Sequence, residues 1–106
     1  MRITKQTLTQ LTAPGTTAWV EMGRLKPASA DLEVIVAAIN TNVVVKVEYS
    51  EDGSAVAASS LSETITANGT YNIPLSVRYR LVRLNFVSEA GGTDATVDSS
   101  VAQHTN

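Results

Sequence analysis

The chain has 106 residues, with eight Lys and Arg against ten Asp and Glu and a formal charge of -2, which suits one domain built around one core. The slightly negative balance gives no electrostatic basis for binding nucleic acid or an anionic membrane, and the lack of cysteine excludes disulfides and thiolate chemistry. Val, Ile and Thr make up more than a quarter of the residues, a mixture that favours pleated, half-buried surfaces and predicts an all-β class.

The first segment lacks the apolar core of a signal peptide, and no apolar run approaches the roughly 20 residues that span a bilayer, so synthesis in the cytoplasm is expected. In residues 1–16, Ile3, Leu8 and Leu11 are scattered among Thr, Gln and Lys before Ala13-Pro14-Gly15 breaks the pattern, which predicts an N-terminal arm or an edge strand. Residues 17–25 (TAWVEMGRL) read as a strand, followed by a loop at Pro27. Residues 31–40 (DLEVIVAAIN) place apolar side chains on both faces, as a central strand covered on both sides would, and Thr41-Asn42 then suggests a hairpin.

Val43, Val45, Val47 and Tyr49 alternate with Lys46, Glu48 and Ser50, so this strand has one wet face. Ser50-Glu51-Asp52-Gly53 closes it as a turn, because Asp52-Gly53 lies between two β-rich segments, and the carboxylates of Glu51 and Asp52 fall well short of the six or so oxygen ligands that calcium needs. Residues 61–67 form another strand, and Asn68-Gly69 signals a tight hairpin into the alternation of Tyr71, Ile73 and Leu75. Pro74 there argues for an edge or a bulge. In residues 77–87 the apolar set changes parity, which predicts a bulge near Leu81 or Val82. After a turn at Gly91-Gly92, residues 93–102 alternate again and 103–106 form a polar tail.

These elements predict an antiparallel β-sandwich of seven to eight strands over residues 17–102, expected as a jelly roll, with an immunoglobulin-like strand order as the alternative. Catalytic groups are scarce. The sole histidine, His104, stands near the C-terminus, and Glu21, Glu33, Glu48, Glu63, Asp94 and Asp98 fall mostly on outward strand positions. No enzyme activity, cofactor or metal is therefore expected. Trp19 is expected as a core anchor, and the tyrosines and Phe86 fall at core positions, which leaves no stacking platform for RNA.

Arg78, Arg80 and Arg83 concentrate cations in one stretch, and such guanidinium forks suit an acidic protein surface. Together with Arg2, Ile3, Lys5, Leu8 and Leu11 of the N-terminal segment, they are the candidate partner-binding residues. Short edge strands favour a homo-oligomer, a dimer or trimer.

The combination of TTAWVEMGRL, VKVEYSEDGSAV, ITANGTYNIPL and YRLVRLNFVSEAGG resembles the small β-sandwich structural proteins of tailed bacteriophages, of the head decoration or cement type. The resemblance implies a non-enzymatic protein that binds the outside of an assembled capsid, with the major capsid protein as partner, and that ends up on the virion. The fold also resembles discoidin-like galactose-binding jelly rolls, in which a strand ending in Ser-x-Asp-Gly precedes a Trp. Ser50-Glu51-Asp52-Gly53 matches, while Val56 stands about where that Trp would be. A carbohydrate-binding module, or a tail or head-completion subunit, is the alternative.

Overall fold

The computed structural model describes residues 2–22 and 29–105, and every regular element among them is a strand. The strands are β1 (Arg2–Thr7), β2 (Gly15–Thr16), β3 (Val20–Glu21), β4 (Ser29–Ala37), β5 (Asn42–Ser50), β6 (Ala58–Ser59), β7 (Glu63–Ile65), β8 (Gly69–Leu75), β9 (Leu81–Ala90) and β10 (Thr96–Thr105). They form two antiparallel sheets. The first has the order β1-β10-β4-β8; the second centres on β9 and β5, with β2 and β3 along the free side of β9 and β6 and β7 along the free side of β5.

Period-two patterning decides which side chains enter the space between the sheets. Leu32, Val34 and Val36 of β4 meet Val97 and Val101 of β10 on one wall; Val43, Val45 and Val47 of β5 meet Leu84 and Phe86 of β9 on the other, and all are essentially fully buried. Burial of each such side chain stabilises the fold by roughly 1.5–3 kcal/mol relative to exposure. Tyr49 closes the core near the loop before β9, where its ring stacks on Tyr79 with centroids 4.9 Å apart and its hydroxyl accepts the Ser76 N–H at 2.9 Å.

The all-β sandwich expected from the sequence is present, and several local expectations change. β4 is central in its sheet but covered on one face only, since Ile35 on the other face is 42 % exposed. Neither Thr41-Asn42 nor Asn68-Gly69 makes a hairpin: β4 to β5 and β7 to β8 are both crossings from one sheet to the other. Both pairs sit where the chain must turn sharply, and turn chemistry does not specify whether the next strand stays in the same sheet. The irregularity of β9 lies at Val87, between Phe86 opposite Val45 and Ser88 opposite Val44, and not at Leu81 or Val82. The parity change at Leu81 and Val82 falls on the first two residues of β9, both buried, where the pairing with Ser50 and Tyr49 is regular.

Of the strand expected over residues 17–25, only Val20–Glu21 is a strand among the described residues, flanked by backbone hydrogen bonds from Thr17 to Leu84 and from Met22 to Arg80, while 23–28, including the Pro27 loop, lie outside them. The supposed polar tail is also corrected. β10 continues to Thr105, and Gln103 is 1 % exposed because its amide is satisfied internally: Nε2 donates to the Met22 carbonyl at 3.0 Å, and Oε1 accepts from Gln6 Nε2 at 3.1 Å. Pro74 lies in the edge strand β8, as its missing donor demands.

Candidate functional site

A connected polar cluster lies on the outer face of the six-stranded sheet. Alternation along β5 turns Lys46 and Glu48 away from the core, and the β5–β9 register sets Asn85 opposite Lys46 and Arg83 opposite Glu48. Arg83 Nε donates to Glu48 Oε1 at 2.8 Å, and Asn85 Nδ2 donates to Glu48 Oε2 at 3.2 Å. Lys46 Nζ stands 3.9 Å from that second oxygen. Trp19, which precedes β3, lies over the guanidinium of Arg83 at 4.2 Å from its ring centroid. Glu48 retains only 9 % side-chain exposure and Arg83 21 %, so their pairing is largely shielded from solvent and survives salt better than a surface bridge.

The sequence expectation for Trp19 is therefore reversed, because the indole covers an ion pair on the outside of the sandwich and is absent from the core cluster. The three arginines do not share one free face either. Arg83 is committed to Glu48, Arg80 Nε stands 3.7 Å from Glu21 Oε1, and Arg78 rests 5.8 Å from the centre of the Tyr79 ring. The sequence alone does not bring Lys46, Glu48 and Asn85 together, since their proximity depends on a β5–β9 register that no residue in either strand announces.

The N-terminal candidates fall into two groups. Lys5 is exposed and stands 3.8 Å from Glu33, whereas Leu8 is buried in the core and Leu11 packs against it, bridged to Val97. For Arg2 and Ile3 the structure describes strand pairing alone, opposite Thr105 and His104. His104 itself lies within β10, with Nε2 3.5 Å from Asp31 Oδ2.

The Ser50–Gly53 stretch is a self-contained turn. Asp52 Oδ1 accepts from the N–H groups of Ser54 at 2.8 Å and Ala55 at 3.0 Å, and Ser50 Oγ caps the N–H of Gly53, whose φ is 79°. These donors, Ser54 first, hold the Asp52 carboxyl below the usual carboxylate range. Among the described residues no group of three or more His, Cys, Asp or Glu could hold a metal ion. A cleft of about 230 Å³ opens on one side of the sandwich between β7 and β8, with Ile65, Ile73 and Pro74 as its apolar wall and Glu63 and Asn72 as its polar one.

Comparison with known proteins gives a likeness of fold. No family model and no curated protein matches the chain. A solved structure from Bacillus endospore appendages, described as a novel family of disulfide-linked pili, superposes with a TM-score of 0.52 at 13 % identity, covering 98 % of this chain and 89 % of that one.

Proposed function

We propose that this protein is a non-enzymatic structural subunit that attaches to the outside of a larger protein shell, in the manner of the head decoration proteins its sequence resembles, with a major capsid protein as partner and the virion surface as its location. We read the strand order, which crosses between the sheets at every step except β2–β3, β5–β6 and β6–β7, as a jelly roll.

One observation carries the proposal: the two sheets treat their edges differently. The six-stranded sheet is bounded by strands of two or three residues, a form that resists pairing with another chain. The four-stranded sheet ends in β1, six residues long and free of proline, whose outer side pairs with no strand among the described residues. Such an edge accepts an added strand through main-chain hydrogen bonds. Exposed Lys5 on β1 sets orientation against an acidic partner more than it sets affinity.

A second reading, a subunit of a self-assembled appendage, draws support from the fold neighbour, a protein of pili. The disulfide linkage of that neighbour does not carry over, because this chain has no cysteine. Electron microscopy and light scattering of the purified full chain, alone and with capsids lacking it, test both. Saturable binding to capsids supports decoration, and filaments formed by the chain alone support the appendage. A monomer that ignores both and binds one class of glycan overturns both readings.

A further inference from the structure

A chain without cysteine has no disulfide with which to tie its strands together, yet the two central strands of the six-stranded sheet bring a primary amine, a carboxamide and a shielded carboxylate into one cluster. Lys46 and Asn85 are direct cross-strand partners. Glu48 Oε2 accepts the Asn85 Nδ2–H at 3.2 Å and stands 3.9 Å from Lys46 Nζ, so a single oxygen faces both the nucleophile and the leaving nitrogen of an amide exchange. The other oxygen, Oε1, is fixed by Arg83 Nε at 2.8 Å, which prevents the carboxylate from turning away.

We propose that Lys46 and Asn85 join in an intramolecular isopeptide bond, with Glu48 as the catalytic proton carrier. Glu48 Oε2 takes one proton from the Lys46 ammonium, and the freed amine attacks Asn85 Cγ to form the Nζ–Cγ bond. The resulting nitrogen gives up a second proton. This proton and the one held by Glu48 pass to Nδ2 as the Cγ–Nδ2 bond breaks, and the nitrogen departs as ammonium. No oxidant, metal or cofactor enters the balance. The charge of the lysine leaves with the ammonium, and Glu48 returns to its ionised form.

Three features favour this chemistry here over the same residues on an open surface. The strand register supplies the high effective concentration that an amine and an amide lack in solution. Glu48 is within direct or one-step reach of both nitrogens it serves. Its small exposure, with Trp19 over the adjoining guanidinium, limits competition from water. The product joins β5 to β9 covalently, a benefit for a protein that must outlast proteases or shear. This inference does not depend on which partner the protein binds.

Intact-mass spectrometry of the purified full chain tests it. The expected mass is that of the sequence less one ammonia, with a peptide map containing one branched species that links Lys46 to Asn85. Lys46→Arg and Asn85→Ala should each restore the full mass with unchanged circular dichroism. Glu48→Gln should do the same by removing the proton carrier, and if that variant fails to fold, Lys46→Arg decides alone. A wild-type mass equal to that of the sequence after long incubation at neutral and mildly alkaline pH would overturn the proposal. So would an ammonia loss that survives Lys46→Arg, which would assign it to a succinimide at Asn68-Gly69.

Discussion

Asn68 Oδ1 accepts a hydrogen bond from the Ile39 N–H at 2.9 Å, and this contact clips together the two segments that carry the chain from one sheet to the other, 38–41 and 66–68. Each segment has left one ladder and not yet joined the next, so its backbone donors need side-chain partners. Asn68→Ala removes the acceptor where water can replace it, and the expected loss is about 0.5–1.5 kcal/mol. Urea unfolding should show a lower midpoint with an unchanged slope. An unchanged midpoint would mean that the crossings hold themselves in place.

The glycines differ in what a methyl group would meet. At Gly91, with φ at 85°, an added Cβ would lie 2.2 Å from Thr41 Oγ1 and 3.0 Å from the Thr41 backbone nitrogen. At Gly53, with φ at 79°, the nearest atom is Leu81 Cδ1 at 3.5 Å, an ordinary contact. Gly53→Ala should therefore cost about 1 kcal/mol from backbone strain alone, and Gly91→Ala about 2–3 kcal/mol because strain and overlap add. Equal losses in chemical denaturation would show that the β9–β10 crossing yields freely around Thr41.

These contrasts mark what the sequence makes legible. The inward sets of β4, β5 and β10 are plain, because Leu32, Val34, Val43, Val45, Val97 and Val101 recur with the period of a strand. The dipeptides Asp52-Gly53 and Asn68-Gly69 look equivalent, yet the first joins β5 to its in-sheet neighbour β6 and the second crosses between sheets. Local φ preference fixes a sharp turn, whereas the destination of the next strand depends on which face of the core still lacks a cover. For the same reason the polar cluster was hidden. Arg83 reads as one of three neighbouring arginines, and only pairing with β5 directs it to Glu48 and beneath Trp19.

Acid should loosen the β5–β6 turn first. Asp52 has its carboxyl pKa lowered by the N–H groups of Ser54 and Ala55 and by the Ser50 hydroxyl. A carboxyl more acidic in the folded than in the unfolded chain contributes stability that is complete above the ordinary value of about 4 and is lost as pH falls through the folded value. Wild type should thus lose turn order below about pH 4, and Asp52→Asn should flatten the acid limb. Amide chemical shifts of Gly53 to Ala55 followed during acid titration report the transition. Shifts that stay constant down to the global acid transition would remove Asp52 from any such role.

Ser99 presents the opposite sign. It lies on the inward face of β10 between Val97 and Val101, is 4 % exposed, and its Oγ has no hydrogen-bond partner among the described residues. Removing a buried hydroxyl that lacks a partner relieves a desolvation cost, so Ser99→Ala should raise stability by up to about 1 kcal/mol. A fall in melting temperature would show instead that the hydroxyl is satisfied in solution.

Deletion of residues 2–7 separates a detachable arm from an integral edge. β1 pairs with β10 along its whole length, from Arg2 opposite Thr105 to Thr7 opposite Ser100, and Gln6 Nε2 donates to both Gln103 Oε1 and the Glu21 carbonyl. Without β1, the ten-residue β10 becomes the bare edge of its sheet, and the buried Gln103 Oε1 loses its donor. A long edge with no blunting feature pairs with other chains, and a buried amide oxygen left without a donor costs about 1–3 kcal/mol. The truncated chain should therefore melt earlier and aggregate at concentrations where the full chain stays dispersed, as read by circular dichroism and light scattering. If it melts like the full chain, stays monomeric and merely loses its partner, β1 is a detachable anchor whose pairing with β10 contributes nothing to the core.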